Sequence, residues 1–330
     1  MKAKASAPGK IVISGEYSVL DGAHAIIMST TQKAFVTIEE ITHSENIFYT
    51  SAMSQSFDFK INKDYSVIWV NDNPGKYGSF IEAIFQHLQI DTTHTIAVSI
   101  QTKDFYWNEM KLGIGSSSAI AVAMVNAFND FFNLKMDSYE VLNNAIELHY
   151  RAQKYKGSGI DIACSFSGME TIQATMSSIH QKNWKELSWP KDLYMQVLFT
   201  QKEIPTKNMV EGYQAMKKHI NIREIIQHLI RVANEISSFW LSQDVSNIIK
   251  SLKHYDLLMR EMDEISKLGI FSNVHNQIHL IAKQQNVFYK PSGAGHGDIG
   301  LAFSESLEEL SRFMKKIKES KVNASSIIVR

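Results

Sequence analysis

Cysteine is almost absent from this sequence. Cys164 alone stands among 330 residues, so no disulfide framework is available and a reducing, cytoplasmic setting is expected. In the run Asp161-Ile162-Ala163-Cys164 it reads as a small buried filler rather than a reactive thiol. Net charge is absent too: Lys plus Arg and Asp plus Glu are 34 each. That balance gives no reason to expect nucleic acid or a membrane surface as partner, although local basic clusters remain able to bind small anions. Long apolar runs are missing, and none approaches the ~20 residues of a membrane span. The basic start Met1-Lys2-Ala3-Lys4 is followed by Gly9, Lys10, Gly15 and Glu16 rather than an apolar stretch, so no signal peptide is expected. The sequence shows neither an internal repeat nor a low-complexity tract. Among His149, His219 and His296 no pair has metal-site spacing, and core or surface roles are expected for them.

What is present suits a globular enzyme. Apolar residues make up 44% and charged residues 21%, which supports a real core and argues against disorder. The length allows one large or two ordinary domains. Residues 9–40 read as strands, with Ile11-Val12-Ile13 and Ala34-Phe35-Val36-Thr37-Ile38 as β-branched runs, and short strands continue over 46–70. A helix is expected over 77–88 and a strand over 95–100. Helices are then expected over 116–132, 138–153, 207–218, 222–242, 244–264, 266–284 and 306–320. Strands are expected at 195–199, 299–303 and 326–329, with a glycine-rich loop over 293–300. The Trp189-Pro190 break places a boundary near residue 190, giving units 1–190 and 191–330. Mixed elements in both halves indicate an α+β chain.

Four segments carry chemistry. Gly113-Ile114-Gly115-Ser116-Ser117-Ser118, preceded by Lys111, leads into a small-residue helix. Glycines there admit close backbone approach, and free N–H groups at a helix start suit an anion such as phosphate. The alternative is a serine-capped buried helix. The loop is not a Walker A, because no Gly-Lys-Ser/Thr follows. Ser292-Gly293-Ala294-Gly295-His296-Gly297-Asp298 is either a second anion-wrapping loop or a tight strand connection. Lys10, next to Pro8-Gly9, either neutralises phosphate or is a surface lysine. Asp161, after Gly157-Ser158-Gly159-Ile160, either caps a turn, acts as a base, or holds a lysine. Two glycine-rich loops, one per half, suggest one site at an interdomain cleft.

In this order the four segments resemble the GHMP kinase family. Pro8-Gly9-Lys10 with Gly15-Glu16-Tyr17 looks like its first motif, Gly113 to Ala119 its nucleotide-phosphate loop, and Ser292 to Gly295 its third motif. The resemblance spans residues 8–300. It implies a ribosomal-protein-S5-like N-terminal domain, a ferredoxin-like C-terminal domain, and ATP-dependent phosphorylation of a small molecule with Mg2+. Within the family the chain is most similar to the phosphomevalonate kinases. Lys111, the Gly-Ser-Gly-x-Asp pattern at 157–161, the segment Pro205-Thr206-Lys207-Asn208-Met209-Val210 and Asp298 carry that likeness. Mevalonate kinase or another alcohol-phosphorylating relative is the alternative, and a non-catalytic ligand-binding homologue is a third. The resemblance implies Lys10 and Asp161 as catalytic residues. Lys111, Gly113, Gly115, Ser116, Ser117 and Ser118 would bind the nucleotide, with Ser117 on the metal. Glu16, Tyr17, Ser158, Thr206, Lys207, Ser292, Gly293, Ala294, Gly295 and Asp298 would bind the acceptor. His296 departs from a family glycine and narrows its loop. No counterpart exists for the glutamate that mevalonate kinases place on magnesium, since His149 and Tyr150 occupy that neighbourhood.

The acceptor sets the demand on charge. An alcohol gains from a general base, whereas a phosphate monoester is already largely a dianion at neutral pH and needs cations against repulsion. Lys10, Lys111 and Lys207 are the lysines at motif positions; Lys154 and Lys156 are expected to be solvated. The adenine pocket is expected between residues 40 and 107.

Overall fold

The computed structural model describes residues 1–90, 94–154, 157–200, 206–217, 220–295 and 299–329; the side chains of 206–208, 220 and 221 lie outside it. Its first half is organised by one long strand. β1 (Lys2–Ser14) pairs antiparallel with the 16-residue β2 (Ala25–Glu40) from Lys2↔Glu39 to Ser14↔Ile26. The register shifts between Pro8 and Lys10. A Cβ on the intervening Gly9 would lie 2.4 Å from the Ile114 carbonyl oxygen and 2.7 Å from Thr30 Oγ1, so only glycine lets the 113–115 loop approach the strand this closely. Across its other edge β2 pairs with β6 (Ile96–Gln101) and β9 (Thr171–Ala174). The remaining strands are β3 (Asn46–Thr50), β4 (Ser56–Ile61) and β5 (Val67–Trp69), beside β6, and β10 (Lys185–Glu186), beside β9. A small hairpin, β7 (Tyr106–Trp107) and β8 (Met110–Lys111), stands apart from this eight-stranded sheet.

Helices α1 (Ser79–Leu88), α2 (Ser116–Phe132), α3 (Ser138–Gln153) and α4 (Ile160–Ser167) come from the same half, with the short α5 (Met176–Ile179). The expected bounds of the second and third helices match residue for residue. α2 is buried nearly all round, at Ala119, Ala121, Ala123, Met124 and Ala127 among others. Its small side chains let it lie close on β1 and β2 with α3 and α4 against it. α3 starts at a capping box, Asp137 with Glu140.

The second half reads β11 (Tyr194–Phe199), helices α6 (Thr206–Met216), α7 (Ile220–Leu241), α8 (Val245–Ser266) and α9 (Asn273–Gln284), then β12 (Phe288–Pro291), β13 (Ile299–Ser304), α10 (Leu307–Glu319) and β14 (Ser325–Ile327). The sheet order β12-β13-β11-β14 is antiparallel throughout, the β-α-β-β-α-β pattern of a ferredoxin-like unit with extra helices in its first connection. Strand alternation divides its two faces. Leu198, Tyr289 and Ala302 pack with Ile278 of α9 and Phe313 of α10. Val197, Phe199, Leu301 and Phe303 join the core of the first half, so the two halves share a hydrophobic interior. Among the described residues no helix is long and apolar enough to cross a membrane.

One expected helix is shorter than its pattern. Residues 266–284 do not form a single helix, because α8 ends where Lys267 turns left-handed at φ 57°. Asp263 then accepts from the Gly269 and Phe271 amides at 2.7 and 3.1 Å, and Ser272 caps a new start. These side-chain bonds stabilise a loop that the apolar spacing does not reveal.

Candidate active site

The site is assembled around residues 10–17 of β1 and the turn after it. The Lys10 amide donates to the Ile114 carbonyl at 2.8 Å, and the Lys10 side chain lies along Gly115, where a Cβ would come within 2.8 Å of Lys10 Cγ. Two residues on, the Val12 carbonyl accepts from the buried Ser292 hydroxyl at 2.7 Å. The two glycine-rich loops therefore attach to the same strand from opposite ends of the chain, and Gly113 and Ser292–Gly295 line one cavity with Lys10, Tyr17, Ser158 and Asp161.

α2 begins at Gly115, φ 83°, without any side-chain cap. The serine-capped alternative is thus not what the chain builds. The first N–H groups of α2 are left to another partner, the arrangement that receives anions. Ser118 is fully buried and turned inward, donating to the Gly115 carbonyl at 2.8 Å and accepting from Ser165 at 3.0 Å. Ser116 and Ser117 instead face a second cavity with Lys111, Lys154, Thr50, Tyr77, Phe80 and Tyr106. Its wall includes residues from the expected 40–107 stretch. The 113–117 loop separates the two cavities.

Asp161 stands in the first turn of α4, which also starts at an uncapped glycine, Gly159 at φ 76°. Its Oδ1 accepts the Ile162 amide at 3.0 Å. Oδ2 lies 3.8 Å from His149 Nε2, and the same nitrogen lies 3.2 Å from Ser117 Oγ. Burial pushes the His149 imidazole below its ordinary pKa, opposed by Asp161 and reinforced by Lys10 and Lys111. The ring is therefore neutral at physiological pH. Sequence pattern gave no hint of this placement, since a lone histidine on a helix face carries no spacing signal.

Glu16 borders the cavity, but its carboxylate is buried against the Lys290 ammonium from β12. Lys290 also donates to the Ile13 carbonyl at 3.2 Å. Burial raises the Glu16 carboxyl from its ordinary range, while Lys290 pulls it down. The Tyr17 hydroxyl bonds the Ala294 carbonyl. Val210 of α6 reaches the same cavity; Thr206 and Lys207 begin that helix, and their side chains, like Lys156, His219, His296 and Asp298, lie outside the described residues. Cys164 is buried beside Ser29, and burial pushes its thiol up to about 12, in keeping with a filler. Among the described residues no cluster of three or more His, Cys, Asp or Glu could hold a metal ion.

Residues 79–169 match the family described as GHMP kinases N terminal domain, a stretch that contains the 113–118 loop, His149 and Asp161. This stretch is similar to the N-terminal domain of GHMP kinases. Relatives of this kind resemble the chain over nearly its whole length. The phosphomevalonate kinase of Saccharolobus solfataricus is 24% identical, covering 95% of this chain and 94% of its own. The mevalonate kinase of Methanocaldococcus jannaschii is 22% identical, covering 94% and 95%. A Streptococcus pneumoniae phosphomevalonate kinase solved with phosphomevalonate and AMPPNP superposes with a TM-score of 0.74 at 17% identity, over 98% of this chain and 99% of its own. At that identity the likeness establishes a shared fold.

Proposed function

We propose that this chain is a cytoplasmic ATP-dependent kinase that phosphorylates 5-phosphomevalonate to 5-diphosphomevalonate. The observation that carries the kinase reading is the 113–117 loop, an uncapped helix start forming the common wall of two cavities with Lys10 laid along it. Phosphoryl transfer asks a protein for positioning and charge neutralisation more than for covalent chemistry. The α2 amides would hold the nucleotide phosphates from the second cavity. Lys10 would neutralise charge on the transferred group, and Lys111 would do so beside the nucleotide. Asp161 would orient Lys10 and the acceptor in the first cavity.

Magnesium fits this donor set as an ion carried by the nucleotide. Ser117 offers one hard oxygen and Asp161 another, and Mg2+ commonly takes one or two protein oxygens together with substrate phosphates. Bound there, it would neutralise charge developing on the phosphates. The phosphate acceptor is favoured by the pattern at 157–161 and by the lysines at motif positions. A mevalonate acceptor remains the second reading, because Asp161 lines the cavity and an alcohol needs a base. ADP release measured with mevalonate and its 5-phosphate side by side separates the two. Faster turnover of mevalonate would overturn the acceptor assignment. Tight ATP binding without turnover of either would leave a binding protein.

A further inference from the structure

We propose that His149 is a positioning residue for phosphoryl transfer, holding the Ser117 hydroxyl and the Asp161 carboxylate in register through a single ring nitrogen, Nε2. The inference rests on the kinase reading of this site. Nε2 lies 3.2 Å from Ser117 Oγ and 3.8 Å from Asp161 Oδ2. Those oxygens belong to the first turns of two different helices, α2 and α4, neither of which has a side-chain cap. Ser117 faces the second cavity and Asp161 the first. The imidazole thus sits at the seam that a transferred phosphoryl group must cross. It reaches there from the last turns of α3, and at 2% exposure it has little room to swing away.

Hydrogen-bonding chemistry fixes which tautomer suits the place. A neutral imidazole carries one N–H, and an ionised carboxylate only accepts. A lone pair on Nε2 would face the Asp161 charge. An N–H there donates to Ser117 Oγ and points its positive end toward Asp161. Ser117 then accepts from the ring and keeps its own proton for another acceptor. With Ser117 on the second cavity, the acceptor it meets there is a phosphate oxygen of the nucleotide.

The test combines spectroscopy on the intact chain with two variants. Long-range proton–nitrogen correlation of histidine-labelled protein, with His149 identified by its loss in His149→Gln, should show the proton on Nε2. A proton on Nδ1 overturns the proposal. His149→Leu should weaken AMPPNP binding and lower kcat about 10–100-fold, the latter being the range seen when partners behind a site's ligands are removed. His149→Gln, whose amide N–H reaches toward the same place, should recover most of both. Equal losses in Leu and Gln variants, matched by equal falls in melting temperature, would make the ring a packing element and overturn it. Should the wild-type chain turn over no acceptor, the kinase reading fails by itself. The tautomer and the nucleotide affinities of the variants still decide the role of His149.

Discussion

The Tyr17 hydroxyl donates to the Ala294 carbonyl at 2.6 Å, joining residues 277 positions apart across the mouth of the first cavity. Tyr17 holds an unusual backbone conformation for a non-glycine residue, φ 60° and ψ −53°, and its ring packs on Tyr213 of α6 at 5.1 Å. Such a conformation persists only where its surroundings impose it. Tyr17→Phe keeps the ring contact and removes the bond. It should cost about 0.5–1.5 kcal/mol of stability, the net worth of one hydrogen bond, read by urea unfolding. With the 293–295 loop released, the acceptor KM should rise severalfold while kcat holds. An unchanged KM would mean the loop is fixed without Tyr17.

The Glu16–Lys290 pair also ties the halves together, and it is almost wholly buried. Removing one partner of such a pair strands a charge and costs about 3–5 kcal/mol, whereas replacing both by apolar groups is often neutral. Lys290→Met should therefore be severely destabilised. Glu16→Leu with Lys290→Met should regain most of the loss. Thermal unfolding of the single and double variants checks this, and a double variant as unstable as the sum of the singles would show that the two charges act independently rather than by neutralising each other.

Two glycines with similar backbone angles should differ sharply in consequence. Gly115, φ 83°, has Lys10 where a Cβ would go, whereas Gly22, φ 92°, has nothing within 4 Å. Both Ala variants incur the left-handed penalty, roughly 1–2 kcal/mol. Gly22→Ala should lose only that stability and keep its kcat/KM. Gly115→Ala must also displace Lys10 and the loop, so its kcat/KM should fall by about 100-fold or more, the scale of a 1 Å misplacement at a reacting centre. Comparable kinetics for the two would remove the loop from the chemistry.

Much of this architecture was legible because its signals are local. The 116–132 and 138–153 helices follow from apolar spacing, and the motif glycines mark the loops that meet at the cavity. What was not legible depends on distant partners. α4 and β12 are short runs whose burial, at Ile162-Ala163-Cys164 and Phe288-Tyr289-Lys290, defines them better than any period. Glu16 gives no sequence sign that it will pair with Lys290, nor His149 that it will stand between Ser117 and Asp161. Those contacts arise only when three helices and two sheets pack, and tertiary context decides them.

Alkaline pH should destabilise the fold through buried phenols. Burial raises Tyr17, Tyr213, Tyr255 and Tyr289 above the ordinary tyrosine value, and Tyr150 up to about 12. A folded pKa above the unfolded one means the unfolded chain releases its proton first. The associated stability is complete below about pH 10 and falls as pH climbs through the raised values. Absorbance at 295 nm should show these phenols ionising late and together with unfolding. Reversible ionisation of all twelve tyrosines in a folded chain near pH 10 would contradict the burial.

Lys10 and Asp161 offer the sharpest test of the acceptor. Both line the first cavity, and they would do opposite things there. With a phosphate acceptor the incoming oxygen is already largely deprotonated, since the second phosphate pKa is about 6, and the barrier lies in bringing two anions together. Lys10 would then matter more than a base. Lys10→Ala should reduce kcat/KM by about 1000-fold, within the several kcal/mol that electrostatic stabilisation supplies. Asp161→Asn, which keeps the shape and the Ile162 contact, should cost about tenfold. With an alcohol acceptor the order reverses, because loss of a general base costs about 100–10,000-fold. Measuring both variants on mevalonate and on its 5-phosphate turns the ranking into an answer. Asp161→Asn as the more damaging change on the phosphate ester would assign Asp161 as base and set aside the charge-neutralisation account of this site.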